Sequence, residues 1–230
     1  MDKINILVAD DDHEIAELAE IYLKNEGYNV YKAYSGIEAL SILEYNDIHL
    51  VILDVMMPGM DGLEICKRIR ENHNIPIIML SAKSADSDII AGLQTGADDY
   101  VTKPFNPQEL LARVNSQLRR FLKLNPNSGP SAELSVRGLT IDKINHRAEL
   151  FGKPISLTPI EFDIICLLME NQGKVFSTQE IFESIWKEKF FDSNNTVMVH
   201  IRNIRDKLGD NPRKPLFIKT VWGVGYKIEK

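Results

Sequence analysis

Acidic side chains, one hydroxyl and one lysine occur directly after apolar runs of the sequence, and together they could carry phosphoryl-transfer chemistry. These positions are Asp10, Asp11, Asp12, Asp54, Ser81 and Lys103. Converging carboxylates repel one another, so a hard divalent cation such as Mg²⁺, which prefers oxygen ligands, would stabilise the group. A cation beside one carboxylate could neutralise an incoming phosphoryl group, which makes that carboxylate a usable nucleophile. The lysine ammonium and the serine hydroxyl could then hold the phosphoryl oxygens.

Each of these acids also has a purely structural interpretation. Asp10–Asp12 could cap a helix, where the helix dipole favours negative charge, and Asp54 could cap the turn before Pro58-Gly59. Taken singly, each acid is more commonly structural. Convergence of all of them at one place would favour the chemical interpretation, so the elements that position them matter.

The first half of the chain alternates short apolar runs with amphipathic stretches of helical length, a pattern typical of a βα repeat. Helix boundaries are indicated by a capping sequence at Ser35–Glu38, by Gly27 at a helix end and by Pro107 in a first turn. We predict an α/β flavodoxin-like fold over residues 1–122, with a doubly wound, five-stranded parallel sheet covered by helices. The predicted strands are Ile4–Ala9, Tyr28–Ala33, His49–Val55, Ile75–Ser81 and Ala97–Thr102. Because working residues gather at the carboxyl ends of such strands, the polar positions should meet in one crevice.

Composition and charge divide the chain into two parts. The 230 residues are 44% hydrophobic and 26% charged, which is typical of globular domains and excludes a fibrous or disordered chain. Residues 1–122 contain 11 Lys and Arg against 20 Asp and Glu, whereas residues 123–230 contain 16 against 13. An acidic first half followed by a basic second half indicates two modules with different partners.

Several classes of protein are excluded by short patterns. No apolar run approaches the roughly 20 residues that a membrane helix requires, and the first residues lack the pattern of a signal peptide. We therefore expect a cytoplasmic protein without a membrane partner. Cys66 and Cys166 lie far apart and form no metal-ligand motif, so neither a disulfide framework nor a structural zinc site is predicted.

Residues 123–133 are rich in Pro, Gly, Ser and Asn without a periodic apolar pattern, so we predict a flexible linker there. The second module, residues 134–230, has capping boxes at Thr158–Glu161 and Ser177–Glu180. Its predicted strands and helices are Leu134–Val136, Leu139–Asp142, Arg147–Phe151, then 159–171, 178–187 and 195–208. Two closing runs, Phe217–Val221 and Tyr226–Ile228, predict a hairpin. This order of elements predicts an α+β winged helix-turn-helix domain.

Four motifs at successive strand ends of the first module connect it to a known family. They are Asp10-Asp11, Asp54-x-x-Met57-Pro58-Gly59, Ser81-Ala82 and Lys103-Pro104-Phe105. Their spacing closely resembles that of the receiver domain of bacterial two-component response regulators, over all of residues 1–122. The resemblance implies that a sensor histidine kinase phosphorylates Asp54 and that Mg²⁺ is the cofactor.

The same resemblance implies roles for individual residues. The implied metal ligands are Asp11, Asp54 and the backbone carbonyl of Met56, with Asp10 acting through water. Lys103 would contact the phosphoryl group. Ser81 and Tyr100 resemble the family's switch pair, in which the hydroxyl moves inward on phosphorylation and the aromatic ring rotates into the vacated space.

The stretch from Gly92 to Phe105 and the helix that follows narrow the resemblance to the OmpR/PhoB subfamily. There the fourth helix, fifth strand and fifth helix form a symmetric homodimer face after phosphorylation. The face implied in this chain contains Asp98, Asp99, Glu109, Arg113 and Arg120. Ile89 departs from the pattern, because relatives often have Lys or Arg there to meet the acid at Glu109. We therefore expect apolar packing to contribute more to this dimer.

The last predicted helix of the second module has an apolar side and a polar side that could face DNA. The apolar side contains Val197, Ile201, Ile204 and Leu208. The candidates for the solvent side are Thr196, His200, Arg202, Asn203, Arg205 and Lys207. Basic side chains with an amide suit phosphate contact and base reading in a major groove. A solvated amphipathic helix of ordinary charge is the alternative, and charge alone does not separate the two.

The patterns from Val197 to Leu208 and from Ile218 to Tyr226 closely resemble the winged-helix effector domain of the same subfamily. The implied contacts to the DNA backbone are Trp186, Thr196, His200, Arg202, Arg205, Thr220 and Tyr226. The resemblance also implies that Asn203 reads a base and that the wing near Trp222 approaches the minor groove. The loop 187–193 matches the segment that touches RNA polymerase in activators of the family. The closing residues further resemble those of VanR-type regulators.

Two other functions fit parts of the sequence. A phosphatase or phosphotransferase could use the acidic crevice on an outside substrate, but this leaves the winged helix unexplained and no second catalytic base is visible. A constitutive DNA-binding protein could use the first module as a dimerisation scaffold, but a scaffold does not need the complete set of polar residues in the crevice. The sequence therefore predicts a phosphorylation-activated transcription regulator that binds promoter DNA, and not an enzyme.

Overall fold

The computed structural model describes residues 3–82, 86–122, 133–187 and 196–229, and for residues 86–89 the backbone alone. The chain divides into two compact units, Met1–Phe121 and Leu122–Lys230. The linker predicted over 123–133 lies outside the described residues apart from Glu133, which opens a strand. Most of the loop 187–193 also lies outside them.

The first unit is built on a five-stranded parallel sheet. Its strands are β1 (Asn5–Ala9), β2 (Asn29–Ala33), β3 (Leu50–Asp54), β4 (Ile77–Ser81) and β5 (Asp99–Thr102). Their order in the sheet is β2-β1-β3-β4-β5, and every neighbouring pair is parallel. The winding changes direction between β1 and β3, so a crevice opens there at the carboxyl ends of the strands. The predicted doubly wound α/β fold is confirmed.

Helices connect these strands and cover the sheet. They are α1 (His13–Asn25), α2 (Gly36–Tyr45), α3 (Gly62–Asn72), α4 (Asp86–Gln94) and α5 (Pro107–Leu122). Asp12, Ser35 and Asp61 cap the first three, because each side chain accepts hydrogen bonds from backbone N–H groups of the first turn. Every residue of β3 and β4 is buried, so both faces of the sheet are covered.

The second unit contains a four-stranded antiparallel sheet, three helices and a hairpin. The elements are β6 (Glu133–Val136), β7 (Leu139–Asp142), β8 (Arg147–Leu150), β9 (Lys153–Ile155), α6 (Pro159–Glu170), α7 (Thr178–Trp186), α8 (Thr196–Leu208), β10 (Ile218–Val221) and β11 (Gly225–Ile228). The predicted winged helix-turn-helix domain is confirmed. β9 was not predicted, because it is a three-residue edge strand in which Pro154 provides no backbone donor.

The core of the second unit lies between the helices and both sheets. Both predicted capping boxes are present: Thr158 and Glu161 exchange hydrogen bonds at the start of α6, and Ser177 and Glu180 do so at the start of α7. The rings of Phe182 and Trp186 on α7 stack at 4.8 Å in the core, and both side chains are fully buried. The Trp186 ring also lies 5.9 Å from the ring of His200 on α8, so α7 packs against α8.

Two further observations concern the length of the helices and the state of the cysteines. Among the residues described above, none of the helices has the length and apolar character of a bilayer span. Cys66 and Cys166 are free thiols, and burial raises the pKa of each. Neither thiol is therefore an easily ionised nucleophile.

Candidate functional site

The carboxyl ends of β1, β3 and β5 bring two carboxylates and one ammonium group into direct contact. Asp10 follows β1, Asp54 ends β3 and Lys103 follows β5. The Nζ atom of Lys103 lies 2.6 Å from Oδ2 of Asp10 and 3.1 Å from Oδ1 of Asp54. The structure thus brings these three predicted residues together, because the parallel strands that precede them end at one edge of the sheet.

Burial makes charge in this pocket costly. Asp10 and Asp54 are almost wholly buried, whereas Asp11 is exposed. Burial raises the pKa of Asp10 above its ordinary value, although hydrogen bonds from Lys103 and from the N–H of Asp12 oppose this. Burial acts to lower the pKa of Lys103, but its hydrogen bonds to Asp10 and Asp54 outweigh this effect and raise the pKa. The ammonium group therefore stays protonated.

The carboxylates of this pocket fit a divalent cation. One oxygen from each of Asp10, Asp11 and Asp54 lies within 4.8 Å of the others. A set of oxygen donors suits Mg²⁺, which binds few protein ligands and keeps several waters. Lys103 supplies one positive charge against three carboxylates, so a second cation would stabilise the group. Met56, whose backbone carbonyl is the further predicted ligand, follows Asp54 by two residues and has an exposed side chain.

The third acid of the run Asp10–Asp12 has a different role. Asp12 caps α1, and its side chain accepts hydrogen bonds from the N–H groups of Glu14 and Ile15. Its own N–H donates to Oδ1 of Asp10 at 3.0 Å. The structural interpretation therefore applies to Asp12, whereas Asp10 and Asp11 belong to the carboxylate cluster.

Ser81 and Tyr100, the predicted switch pair, are both buried. Ser81 ends β4, and its backbone carbonyl accepts the N–H of Lys103 at 2.7 Å. Tyr100 lies on β5, and its ring faces Gly92 of α4. A Cβ atom built on Gly92 would lie 3.6 Å from the Tyr100 ring. Ser81 is thus adjacent to the pocket, and the Tyr100 ring lies against α4.

Residues of the predicted dimer face form ion pairs within a single chain. The Nη1 atom of Arg113, on α5, lies 2.9 Å from Oδ1 of Asp99. Its Nη2 atom lies 2.9 Å from Oε1 of Glu109. Arg120 donates from Nη1 to a serine hydroxyl one turn earlier in α5, at 3.1 Å. The side chain of Ile89 lies outside the described structure.

The burial of Asp98 differs from its predicted position on the dimer face. Its fully buried carboxylate accepts hydrogen bonds from Nη2 of Arg70 at 2.6 Å and from the N–H of Ile77 at 2.9 Å. Arg70 also donates to the backbone carbonyls of Gly96 and Ile75. The prediction that Asp98 lies on an exposed face is therefore wrong. Asp99, the first residue of β5, is also almost wholly buried, and its carboxylate pairs with Arg113.

The exposed side of α8 is a narrow strip. Its side chains are Met198, Arg202, Asp206 and Lys207, with Asn203 partly exposed. The Arg202 side chain is 68% exposed, and its Nε lies 4.0 Å from Asp206. Lys207 instead reaches the buried carboxylate of Glu161, with Nζ at 2.6 Å. Arg202 and Asn203 are therefore the predicted DNA-contacting residues that this helix presents to solvent.

Other predicted contacts on or near α8 are buried. Trp186, Thr196, His200 and Arg205 expose little or no surface. The solvent-side prediction for Thr196, His200 and Arg205 assumed one apolar stripe on α8. The helix instead packs against α6, α7 and the hairpin, which buries more than one side of it. The His200 ring lies 5.9 Å from the ring of Trp186 in the core. The prediction that Thr196, His200 and Arg205 lie on the solvent side is therefore wrong. Trp186 is buried as well, and its contact with DNA stays a prediction.

The hairpin β10–β11 forms a wing with an exposed aromatic tip. Trp222 in the turn is 90% exposed. Thr220 and Tyr226 face each other across the hairpin and are partly buried. The carboxylate of Glu229 pairs with a lysine on each strand, at 2.8 and 3.1 Å, which lowers the pKa of Glu229 to about 2. The wing thus presents Trp222 on a hairpin held by its own ion pairs.

One support of the wing was not predicted. The buried carboxylate of Asp210, just after α8, accepts the N–H groups of Leu216, Phe217 and Ile218 at 2.6, 3.3 and 2.9 Å. It thereby fixes the loop between α8 and β10. Its signal in the sequence is the run Gly209-Asp-Asn-Pro212, a turn-type cluster whose acid can accept from nearby backbone donors.

Comparison with known proteins gives a matching family for each of the two units. Residues 6–115 match the family described as response regulator receiver domain, and residues 152–228 match that described as transcriptional regulatory protein, C terminal. Among solved structures, the response regulator DrrB, a Thermotoga maritima OmpR/PhoB homolog, covers 100% of both chains with 36% identity and a TM-score of 0.53. The chain belongs to the response regulators of two-component systems, and its second domain makes it a DNA-binding transcription regulator of the OmpR/PhoB type.

Within this class the chain is similar to one group of regulators in particular. The regulatory proteins VanRc of Enterococcus gallinarum and VanR of Enterococcus faecium are each 51% identical to it over 227 residues, which covers 98% of this chain and 98% of the relative. The relatives are regulatory proteins, so the match agrees with a regulator rather than an enzyme.

Proposed function

We propose that a sensor histidine kinase transfers a phosphoryl group to Asp54 of this chain, and that the phosphorylated chain binds promoter DNA to regulate transcription. The observation that carries the proposal is the pocket in which Lys103 lies 3.1 Å from the Asp54 carboxylate, with Asp10 and Asp11 beside it. Family membership supports a kinase and DNA as partners. The cytoplasm is the proposed location, because promoter DNA is found there.

In the proposed transfer, a carboxylate oxygen of Asp54 attacks the phosphorus atom of the phosphohistidine of the kinase. The bond from phosphorus to the histidine nitrogen breaks, the imidazole leaves, and an acyl phosphate forms on Asp54. Lys103 would hold a phosphoryl oxygen by an ion pair. Asp10, Asp11, Asp54 and the Met56 carbonyl would hold Mg²⁺, which offsets the negative charge of the phosphoryl group. The chain assists its own phosphorylation and dephosphorylation and turns over no other substrate.

Ser81 and Tyr100 would connect this transfer to the dimer. New phosphoryl oxygens attract the Ser81 hydroxyl, and Tyr100 lies on the next strand against α4. The proposed homodimer face comprises α4, β5 and α5. Because Arg113 already pairs with Asp99 within the chain, an exchange of ionic partners gains little energy, and apolar packing has to contribute.

The proposed DNA contacts are those residues that α8 and the wing expose. Arg202 suits a phosphate oxygen, and Asn203 can present a donor and an acceptor together to adenine. Trp222 at the wing tip would approach the minor groove. Two effector domains of a dimer would bind half-sites about one helical turn (~10 base pairs) apart. Contact with RNA polymerase is proposed for the loop 187–193.

Phosphorylation by acetyl phosphate and Mg²⁺, followed by intact mass, tests the proposed site. We expect one phosphoryl group on the wild-type chain, none on Asp54→Asn, and near-normal phosphorylation of Asp12→Ala. Asp12 is the matched control, because it belongs to the same acidic run but caps α1. Undiminished phosphorylation of Asp54→Asn would refute the assignment.

Footprinting on the DNA upstream of its own gene then tests the regulatory step. The phosphorylated wild-type chain should protect this DNA at a lower concentration than the unphosphorylated chain. Equal footprints of the two forms would instead support the alternative of a constitutive DNA-binding protein with a receiver-like scaffold.

A further inference from the structure

Asp210 lies in the turn that follows α8, and its backbone is fixed to that helix. The N–H of Asp210 donates to the carbonyl of Arg205 at 2.8 Å, and the N–H of Gly209 donates to the carbonyl of Asp206 at 3.3 Å. Gly209 has a φ of 62°, which glycine adopts without strain. These features form a Schellman motif, which closes the carboxyl end of a helix. The helix itself therefore defines where the backbone of Asp210 lies.

The side chain of Asp210 is fixed to the wing. The residue is 5% exposed, and its carboxylate accepts three consecutive backbone N–H groups, those of residues 216–218. The last of these donors belongs to Ile218, the first residue of β10. Hydrogen bonds to a charged acceptor are about twice as strong as neutral ones. Asp210 therefore links the end of α8, through its backbone, to the start of the wing, through its side chain.

We propose that Asp210 is a positioning residue for DNA binding, which holds the wing β10–β11 relative to α8 so that both can meet one duplex. The inference rests on the proposed DNA-binding function. A wing that is held in place loses little conformational freedom when DNA binds. A loosely held wing lowers the apparent affinity in proportion to the fraction of molecules in which it is correctly placed. An acidic residue that does not touch DNA thus strengthens the binding of a polyanion.

The sign of the effect on DNA affinity distinguishes this role from a direct effect of charge. Removal of a carboxylate from the effector domain relieves repulsion of the DNA phosphates, so by itself it should not weaken binding. Asp210→Ala should nevertheless weaken binding by about tenfold, because three backbone donors lose their acceptor and the wing is correctly placed less often. Asp210→Asn has the same charge as Asp210→Ala but keeps one acceptor oxygen, so it should bind with intermediate affinity.

Asp142 provides the matched control in the same domain. Its side chain also accepts backbone N–H groups within a loop, those of Ile144 and Asn145 at 2.9 and 3.0 Å. That loop joins β7 to β8 in the four-stranded sheet, whereas the loop at Asp210 leads into the wing. Asp142→Ala removes the same charge and hydrogen bonds of the same kind, and its affinity for DNA should not fall.

Two measurements on the full-length chain test the proposal. The first is fluorescence anisotropy of labelled duplex DNA that the wild-type chain selects from a randomised pool, titrated at several salt concentrations. The slope of log K against log salt should be equal in the wild type and the Asp210 variants, because no phosphate contact is removed. The second is amide hydrogen exchange without DNA. Exchange in β10 and β11 should accelerate in Asp210→Ala and not in Asp142→Ala, and exchange in the receiver sheet should not change.

The outcomes separate the inference from the function on which it rests. Asp210→Ala that binds DNA as tightly as the wild type, or more tightly, would overturn the proposal, and so would unchanged exchange in the wing. An equal loss of affinity in Asp142→Ala would also overturn it, because the effect would then follow from a general loss of stability. A wild-type chain that binds no DNA would refute the DNA-binding function, while hydrogen exchange would still decide whether Asp210 holds the wing.

Discussion

Replacement of Asp98 by alanine should destabilise the receiver domain by about 3 kcal/mol. Breaking a buried ion pair costs about 3–5 kcal/mol, because one charge stays buried without its partner. In the variant, Arg70 can still donate hydrogen bonds to the carbonyls of Gly96 and Ile75, and its side chain is 11% exposed. The remaining charge is therefore partly stabilised, and the lower end of this range applies. The matched control is Glu109→Ala, which removes a 48% exposed acid that also pairs with an arginine and should cost less than about 1 kcal/mol.

Urea denaturation of the full-length chain measures this loss. Trp186 and Trp222 both lie in the effector domain, so tryptophan fluorescence follows that domain alone, whereas far-ultraviolet circular dichroism follows both domains. With an m value of about 1–3 kcal/mol per molar urea, a loss of about 3 kcal/mol lowers the receiver midpoint by about 1–3 M. The fluorescence midpoint should not move.

An Asp98→Ala chain with an unchanged receiver midpoint would refute this reasoning. If that chain also failed to dimerise after phosphorylation while Glu109→Ala dimerised normally, the Asp98 carboxylate would belong to the dimer face. Asp98→Asn provides a further check, because its amide oxygen can still accept the N–H of Ile77 but carries no charge. We expect its stability to lie between those of the wild type and Asp98→Ala.

Three further substitutions test other parts of the molecule. Gly62→Ala should lower phosphorylation and cost about 1–3 kcal/mol, because its Cβ would overlap the backbone carbonyl oxygen of Asp54. Intact mass and urea denaturation measure these effects, and normal phosphorylation would contradict the first. Asp12→Ala should cost about 1 kcal/mol of unfolding free energy, measured by urea, through loss of the α1 cap; an unchanged midpoint would argue against it. Asn203→Ala should relax selection from randomised DNA at one base pair per half-site, by about 1–3 kcal/mol. Identical selected motifs would show that Asn203 reads no base.

The contact between Asp10, Asp54 and Lys103 could be predicted from the sequence, because it depends on strand direction alone. Apolar runs locate the strands, and all parallel strands end at one edge, so the residue after each run falls in the crevice. The capping boxes at Thr158 and Ser177 could also be predicted, since they depend on residues three positions apart.

The burial of His200 and Arg205 could not be predicted in the same way. An apolar stripe identifies one packed side of a helix, but contacts from a distant hairpin bury polar residues beside that stripe. Arg205 is buried because β10, which begins 13 residues later, supplies its hydrogen-bond acceptors. The partner of Asp98 lies 28 residues earlier, on α3, and no local pattern connects the two.

Strands β4 and β5 are fastened at both ends. At their amino ends, the buried pair of Arg70 and Asp98 anchors them to α3. At their carboxyl ends, Lys103 is anchored to Asp10 and to the carbonyl of Ser81. Because contacts hold both ends of β4 and β5, these strands resist displacement along their own direction. We expect a phosphoryl group at the carboxyl ends to move the nearby loops and α4 instead. The conformational change on phosphorylation should therefore run across the sheet, from the loops to α4, and should not shift the strands along their length.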